Sequence, residues 1–129
     1  MIPEILFTPT AIIVPARSLP SREIGSVLEF QGLVREQEDG SAVTGLFYEA
    51  YQPMAHSRLQ YHCLELQERH PVAGVRFIHR LGWVPVGEAS LFIRVVSSHR
   101  AEGLDFLSEL VVRLKQDVPI WKMTTGPEM

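Results

Sequence analysis

Lysine is nearly missing from this chain. Of twelve Lys and Arg residues only two are Lys, and both fall near the end, at Lys115 and Lys122. Cysteine is scarcer still. Cys63 stands alone, so no internal disulfide can form, which fits a reducing cytoplasm. Metal-ligand spacings such as CxxC and HExxH are absent. No apolar run is long enough to span a bilayer, and the N-terminus carries no signal-peptide pattern. Neither an internal repeat nor a low-complexity tract is found. Positive charge is not in excess either: a net charge of −3 argues against non-specific nucleic-acid binding as the main work. What is there is apolar. Hydrophobic residues make up 46% of 129 positions and charged residues 21%, which predicts one folded domain, residues 1–129, with a sizeable core.

The richest stretch runs from Ser97 to Lys122. At about 100° per residue, Leu104, Leu107, Leu110, Val111 and Leu114 fall on one side of a helix, with Glu102, Asp105, Glu109 and Arg113 on the other. Ser97 or Ser98 is the expected cap, and Pro119 ends the helix near Gln116 or Asp117. His99 and Arg100 sit in its first turn, where the dipole disfavours cations; free N–H groups and side-chain donors converging there make an anion site. Lys115 follows Val111 by four residues, at the edge of the apolar stripe. A lysine directed toward a packed region suits binding or acid–base work, because burial lowers its pKa. The plainer reading is a lysine that complements the helix C-terminus and snorkels.

Upstream, Ile5–Phe7 and Ala11–Val14 are β-prone runs split by Pro9, and Leu19 to Gly25 reads as a short helix or turn. Ser26 to Arg35 is a strand candidate in which Gly32 suggests a bulge or a close approach to the backbone. After the acidic loop Glu36 to Ser41, with its Asp39-Gly40 turn, a strand from Val43 to Tyr51 can pair back on the first. Pro53 opens a helix to about Arg69, whose stripe of Ala55, Leu59, Cys63 and Leu66 makes Cys63 a small core residue. His56, His62 and His70 have no metal-like spacing and read as surface residues. Val72 to Arg80 and Ala89 to Ser97 are two further strands, joined by a connection from Leu81 to Glu88. Alternation sends His79 and Arg80 to opposite faces. The apolar Val118 to Trp121 run either packs on the core or meets another subunit. The class is α+β, with mostly antiparallel sheets and two main helices packed on them.

Several of these pieces occur together in one family. Phe30-Gln31-Gly32-Leu33-Val34-Arg35, Tyr48-Glu49-Ala50-Tyr51 with Met54-Ala55, His79-Arg80-Leu81-Gly82, Gly87-Glu88, Ser98-His99-Arg100, and Lys115 through Pro119-Ile120-Trp121-Lys122 stand in its order and spacing. From about Gly25 to Lys122 the chain closely resembles the large, catalytic subunits of molybdopterin synthase. The resemblance implies an α/β hammerhead fold and a homodimer within a heterotetramer. A small ubiquitin-like sulfur carrier at each end would thread its C-terminal Gly-Gly thiocarboxylate into a pocket. Sulfur would pass to cyclic pyranopterin monophosphate, one atom per tail, to form the dithiolene of molybdopterin, with no metal or redox cofactor required. It further implies that Arg35, His99 and Arg100 hold the anionic group. Leu33, Val34, Met123 and Thr124 would line the pocket, Lys115 would assist at the thiocarboxylate, and Lys122 would stabilise charge as the cyclic phosphate opens. One departure stands out. Where the family continues with a basic residue and then Glu, this chain has Met123-Thr124. That motivates a second reading, a module that grips a Gly-Gly tail without turnover; a third is a scaffold whose lysines are ordinary surface charges.

Overall fold

A computed structural model describes residues 1–124. In chain order the elements are β1 (Glu4–Thr8), β2 (Ser26–Leu33), β3 (Gln37–Glu38), β4 (Ser41–Ala42), β5 (Gly45–Ala50), α1 (Gln52–Arg69), β6 (Gly74–Arg80), β7 (Gly82–Pro85), β8 (Ala89–Ser97), α2 (Arg100–Asp117) and β9 (Ile120–Met123). They form a four-stranded sheet in the order β1-β6-β8-β2, a three-stranded sheet in the order β7-β5-β9, and the two-residue ladder β3-β4. Every pairing is antiparallel except β1 with β6, so the α+β expectation holds.

Alternation along the strands explains the main core. Val75 and Phe77 on β6, with Leu91, Ile93 and Val95 on β8, face the helices. Ala55, Leu59, Cys63 and Leu66 of α1 and Phe106, Leu110 and Leu114 of α2 cover them. Full burial of rings such as Phe77 and Phe106 contributes about 1.5–3 kcal/mol each. Burial pushes the Cys63 thiol up to about 12, which leaves it an inert core residue. On the opposite face, Arg94 donates through Nε to Glu29 (2.6 Å) and through Nη2 to the Pro15 carbonyl (2.7 Å), fastening the N-terminal segment across the sheet.

Five expectations need correction. Val43 to Tyr51 does not pair back on the early strand. β2 lies against β8, while β5 pairs with β7 and β9. The Leu81 to Glu88 connection therefore contains a strand, β7. Ala11–Val14 forms no strand, because Pro9 and Pro15 remove N–H donors at both of its ends. Leu19 to Gly25 holds a turn, one of the two forms expected of it. Neither serine caps α2: His99 occupies the N-cap without a side-chain bond, and Ser97 Oγ donates instead to the His99 carbonyl at 2.6 Å. The buried stripe of α2 is also rotated from the one expected, with Gly103 and Phe106 inside and Leu104 exposed. The bulge in β2 is real, with a register shift between Gly32 and Leu33.

His62 and His70 are not free surface residues. His62 is buried in the seam between α1 and α2, where Arg113 donates to its Nδ1 and its Nε2–H donates to Asp117 at 2.7 Å. Arg58 pairs with the same carboxylate, while Glu109 receives His70 and Arg69. The Arg58 hydrogen bond, then that of His62, holds the Asp117 carboxyl below its usual range. A depressed carboxyl contributes stability that is present above its unfolded pKa of about 4 and is lost as pH falls through the folded value. Urea unfolding should therefore find Asp117→Asn less stable than the parent at pH 7, with the gap closing toward pH 2. A gap that persisted there would mean that the carboxylate's charge is not what matters.

Candidate functional site

Three connections carry distant residues to one place. Pro119 ends α2, and β9 then returns antiparallel to β5, setting Ile120 opposite Ala50 and Lys122 opposite Tyr48. The end of β2 is clamped by two backbone bonds, Val34 N–H to the Glu88 carbonyl (3.0 Å) and Gly87 N–H to the Val34 carbonyl (2.8 Å). Gly87 adopts φ +87°, which a side chain would strain. At the bulge, Ser90 Oγ donates to the Gly32 carbonyl at 3.3 Å. Gly45 lets β5 approach β7: a Cβ there would lie 2.6 Å from both Trp83 Cζ2 and the Val84 carbonyl oxygen.

Between these elements lies a cavity of about 590 Å³. Its floor is apolar, built by Leu46, Leu91, Leu114 and their neighbours, and its rim carries Arg35, Lys115 and Lys122, all exposed. Both lysines of the chain, seven positions apart, thus reach one concavity from different elements. Glu38 is the one carboxylate among the described lining residues. Its Oε1 lies 2.9 Å from Lys122 Nζ, the lysine half-exposed and the carboxylate turned inward. Lys115 has no ion pair among the described residues, and its exposure corrects the expectation of a lysine turned toward packed surroundings.

The expected site residues divide. Leu33, Val34 and Arg35 line the cavity with Lys115 and Lys122. Met123 follows on β9, half-buried, and Thr124 is an exposed bend; neither lines it. His99 and Arg100 lie elsewhere, at a shallow concavity with Gly25, Ser26 and Ser98. Along α2, Lys115 follows Arg100 by fifteen residues, roughly 23 Å at about 1.5 Å per residue. One chain therefore does not bring the two halves of the expected constellation together.

The cavity also contains a histidine outside the expected set of site residues. His79 is buried against it, with Nδ1–H donating to the Arg80 carbonyl at 2.8 Å and the Tyr48 ring edge-on at 5.1 Å. Burial pushes its pKa down, opposed in part by that carbonyl, so the imidazole is neutral at pH 7. Arg80 points away, as alternation requires, and pairs with Glu88 at 2.7 Å. Among the described residues no group of three or more His, Cys, Asp or Glu side chains is placed to hold a metal ion, and none of their helices is long and apolar enough to cross a membrane.

Two helices packed on mostly antiparallel sheets thus carry a cavity with an apolar floor and a cationic rim, whose field favours an anion. The chain belongs to the MoaE protein family, whose model matches residues 7–117. Relatives include the human molybdopterin synthase catalytic subunit, 43% identical over 98 residues, 76% of this chain and 52% of that protein. The chain thus spans about half the length of several curated relatives it matches. The crystal structure of molybdopterin synthase from Staphylococcus aureus superposes with a TM-score of 0.78 at 29% identity, covering 98% of this chain and 92% of that one. A complex of subunits 1 and 2 of the molybdopterin-converting factor from Helicobacter pylori shares the fold at 24% identity, with a TM-score of 0.66 over 78% of this chain and 66% of that one.

Because β5 forms one wall of the cavity, its seat on β7 is a sensitive point. Gly45→Ala must displace Trp83 or the β7 backbone and should cost about 1–3 kcal/mol in urea unfolding. A neutral result would mean that β7 moves freely.

Proposed function

We propose that this chain is the sulfur-transferring subunit of a molybdopterin synthase. It takes sulfur from the C-terminal thiocarboxylate of a small ubiquitin-like carrier and delivers it to cyclic pyranopterin monophosphate, giving the molybdopterin dithiolene. The observation that carries this reading is the convergence of the chain's two lysines with Arg35 on one cavity. Family membership supports the pathway, and the two-subunit complex of the Helicobacter pylori relative supports a small-subunit partner. A cytoplasmic location belongs to the same reading.

The parts divide the chemistry. The apolar floor takes the pterin plane, and Arg35 offers a planar set of donors to its phosphate. Lys115, free of any carboxylate among the described residues, meets the incoming thiocarboxylate. There it stabilises the oxyanion that forms when water adds to the acyl carbon, and assists proton transfer as the carbon–sulfur bond then breaks, leaving the sulfur on the pterin and a carboxylate on the carrier. Lys122 holds the substrate and offsets charge as the cyclic phosphate opens. Leu33 and Val34 supply the wall beside Arg35, and Met123 and Thr124 follow Lys122 out of the site.

His99 and Arg100 enter this scheme from a second copy. They lie a helix length away within one chain, so in a homodimer the α2 start of one protomer completes the cavity of the other. Each dimer would carry a carrier subunit at either end.

The direct test mixes the protein with thiocarboxylated carrier and cyclic pterin, and assays molybdopterin. Formation of the dithiolene supports the proposal; tail binding without product would favour the non-catalytic module. Lys115→Ala should lower turnover about 10²–10³-fold with the fold intact, as loss of an oxyanion contact does; near-normal turnover would sink its assignment. Arg100→Ala should raise the substrate KM strongly and leave carrier affinity nearly unchanged. Mixing the two variants and allowing subunit exchange should, at a pterin concentration too low for either variant to turn over, restore about one quarter of the activity, because half the dimers are mixed and each has one intact site. No recovery would place His99 and Arg100 outside the shared site.

A further inference from the structure

The acidic hairpin formed by β3 and β4 belongs to neither large sheet. Its ladder is two residue pairs long, its turn places Asp39 at φ 52° and Gly40 at φ 80°, and Val43 N–H to the Glu36 carbonyl (2.9 Å) closes its base. Little in the hairpin is buried, yet the Glu38 side chain is only 13% exposed because it turns inward onto Lys122, which is itself 49% exposed. A carboxylate facing a cationic cavity is unhelpful for binding an anion: it weakens the field that Arg35, Lys115 and Lys122 create. It therefore needs another reason to be there, and the geometry supplies one. Lys122 lies on β9, the last strand among the described residues, and its four-carbon stem has large rotational freedom. A single contact from across the cavity fixes where its nitrogen stands.

We propose that Glu38 is a positioning residue for Lys122, tying the β3-β4 hairpin to β9 across the cavity and holding the Lys122 ammonium where transition-state charge develops. The proposal rests on the sulfur-transfer reading of the cavity. It assigns a role to a residue outside every motif quoted above, in a chain whose position 124 is threonine. The two effects of the carboxylate act in opposite directions. Positioning raises kcat, because charge placement matters most in the transition state. Its negative charge weakens ground-state binding of an anionic substrate.

Glu38→Gln keeps the size of the side chain and removes its charge. In steady-state assays with thiocarboxylated carrier and cyclic pterin it should lower kcat about 10- to 100-fold, the cost of misplacing a catalytic group by about 1 Å. The pterin KM should stay level or fall. Glu38→Asp should recover part of kcat. A hairpin that merely shapes the pocket would instead raise KM, and that outcome, or an unchanged kcat, overturns the proposal. A second readout does not depend on turnover. Because the chain has only two lysines, limited acetylation mapped by mass spectrometry reads each directly. Glu38→Gln should speed acetylation of Lys122 several-fold and leave Lys115 unchanged. If the parent protein makes no molybdopterin but the acetylation shift appears, the reaction assignment fails while the Glu38–Lys122 tie stands. Equal acetylation in both proteins refutes the tie.

Discussion

The return of the chain after α2 onto β5 is the constraint on which the site depends. Pro119 forces the helix to stop, and the backbone closes at once, with the Tyr51 N–H donating to the Pro119 carbonyl at 3.1 Å. Four residue pairs then lock β9 to β5. Without that ladder Lys115 would end an amphipathic helix and Lys122 would follow in an unplaced tail. With it, one lysine approaches the cavity from the helix and the other from the sheet. Val118 and Ile120 pack on the core and hold the turn between them, while Trp121 stays largely exposed.

Electrostatics are partitioned along the same helix. The seam with α1 is satisfied: Arg58, His62, Arg113, Arg69 and His70 each meet Asp117, Glu65 or Glu109. The cavity face is not, because among its described lining residues three cations face one carboxylate, Glu38, which pairs with Lys122 alone. The charges in the seam are paired with one another, while the apolar core beneath them sets the two helices relative to each other. Cations that outnumber their partners leave a field for an anionic ligand. The division explains why a chain of net charge −3 can still present a cationic site.

Much of this was legible beforehand, and the failures have physical reasons. The helices, the Gly32 bulge and the inward Cys63 follow from periodicity and proline placement, and the rarity of lysine singles out two residues that the fold brings to one cavity. The partner of β5 does not, because local alternation says which face a strand buries but not which strand lies beside it. β7 was hidden for the same reason, its Gly82 and Pro85 reading as loop punctuation. His62 was misjudged because the groups that bury it, Arg113 and Asp117, are 51 and 55 residues away. Glu38 looked like one more acid in a polar loop; only the long-range fold reveals Lys122 beside it. His99 and Arg100 stand out at the start of α2, and their separation from Lys115 follows from the helix itself, fifteen residues from Arg100 at about 1.5 Å each.

The central claim is that the Lys115 end of the cavity receives the carrier's C-terminal glycine. Zero-length coupling of that terminal carboxyl to amines, followed by peptide mapping, reads it directly, since the chain offers only two lysine amines. The account predicts an amide bond between the terminal glycine and Lys115. A carrier that binds but couples to neither lysine, or couples equally well with the cavity blocked, would contradict it.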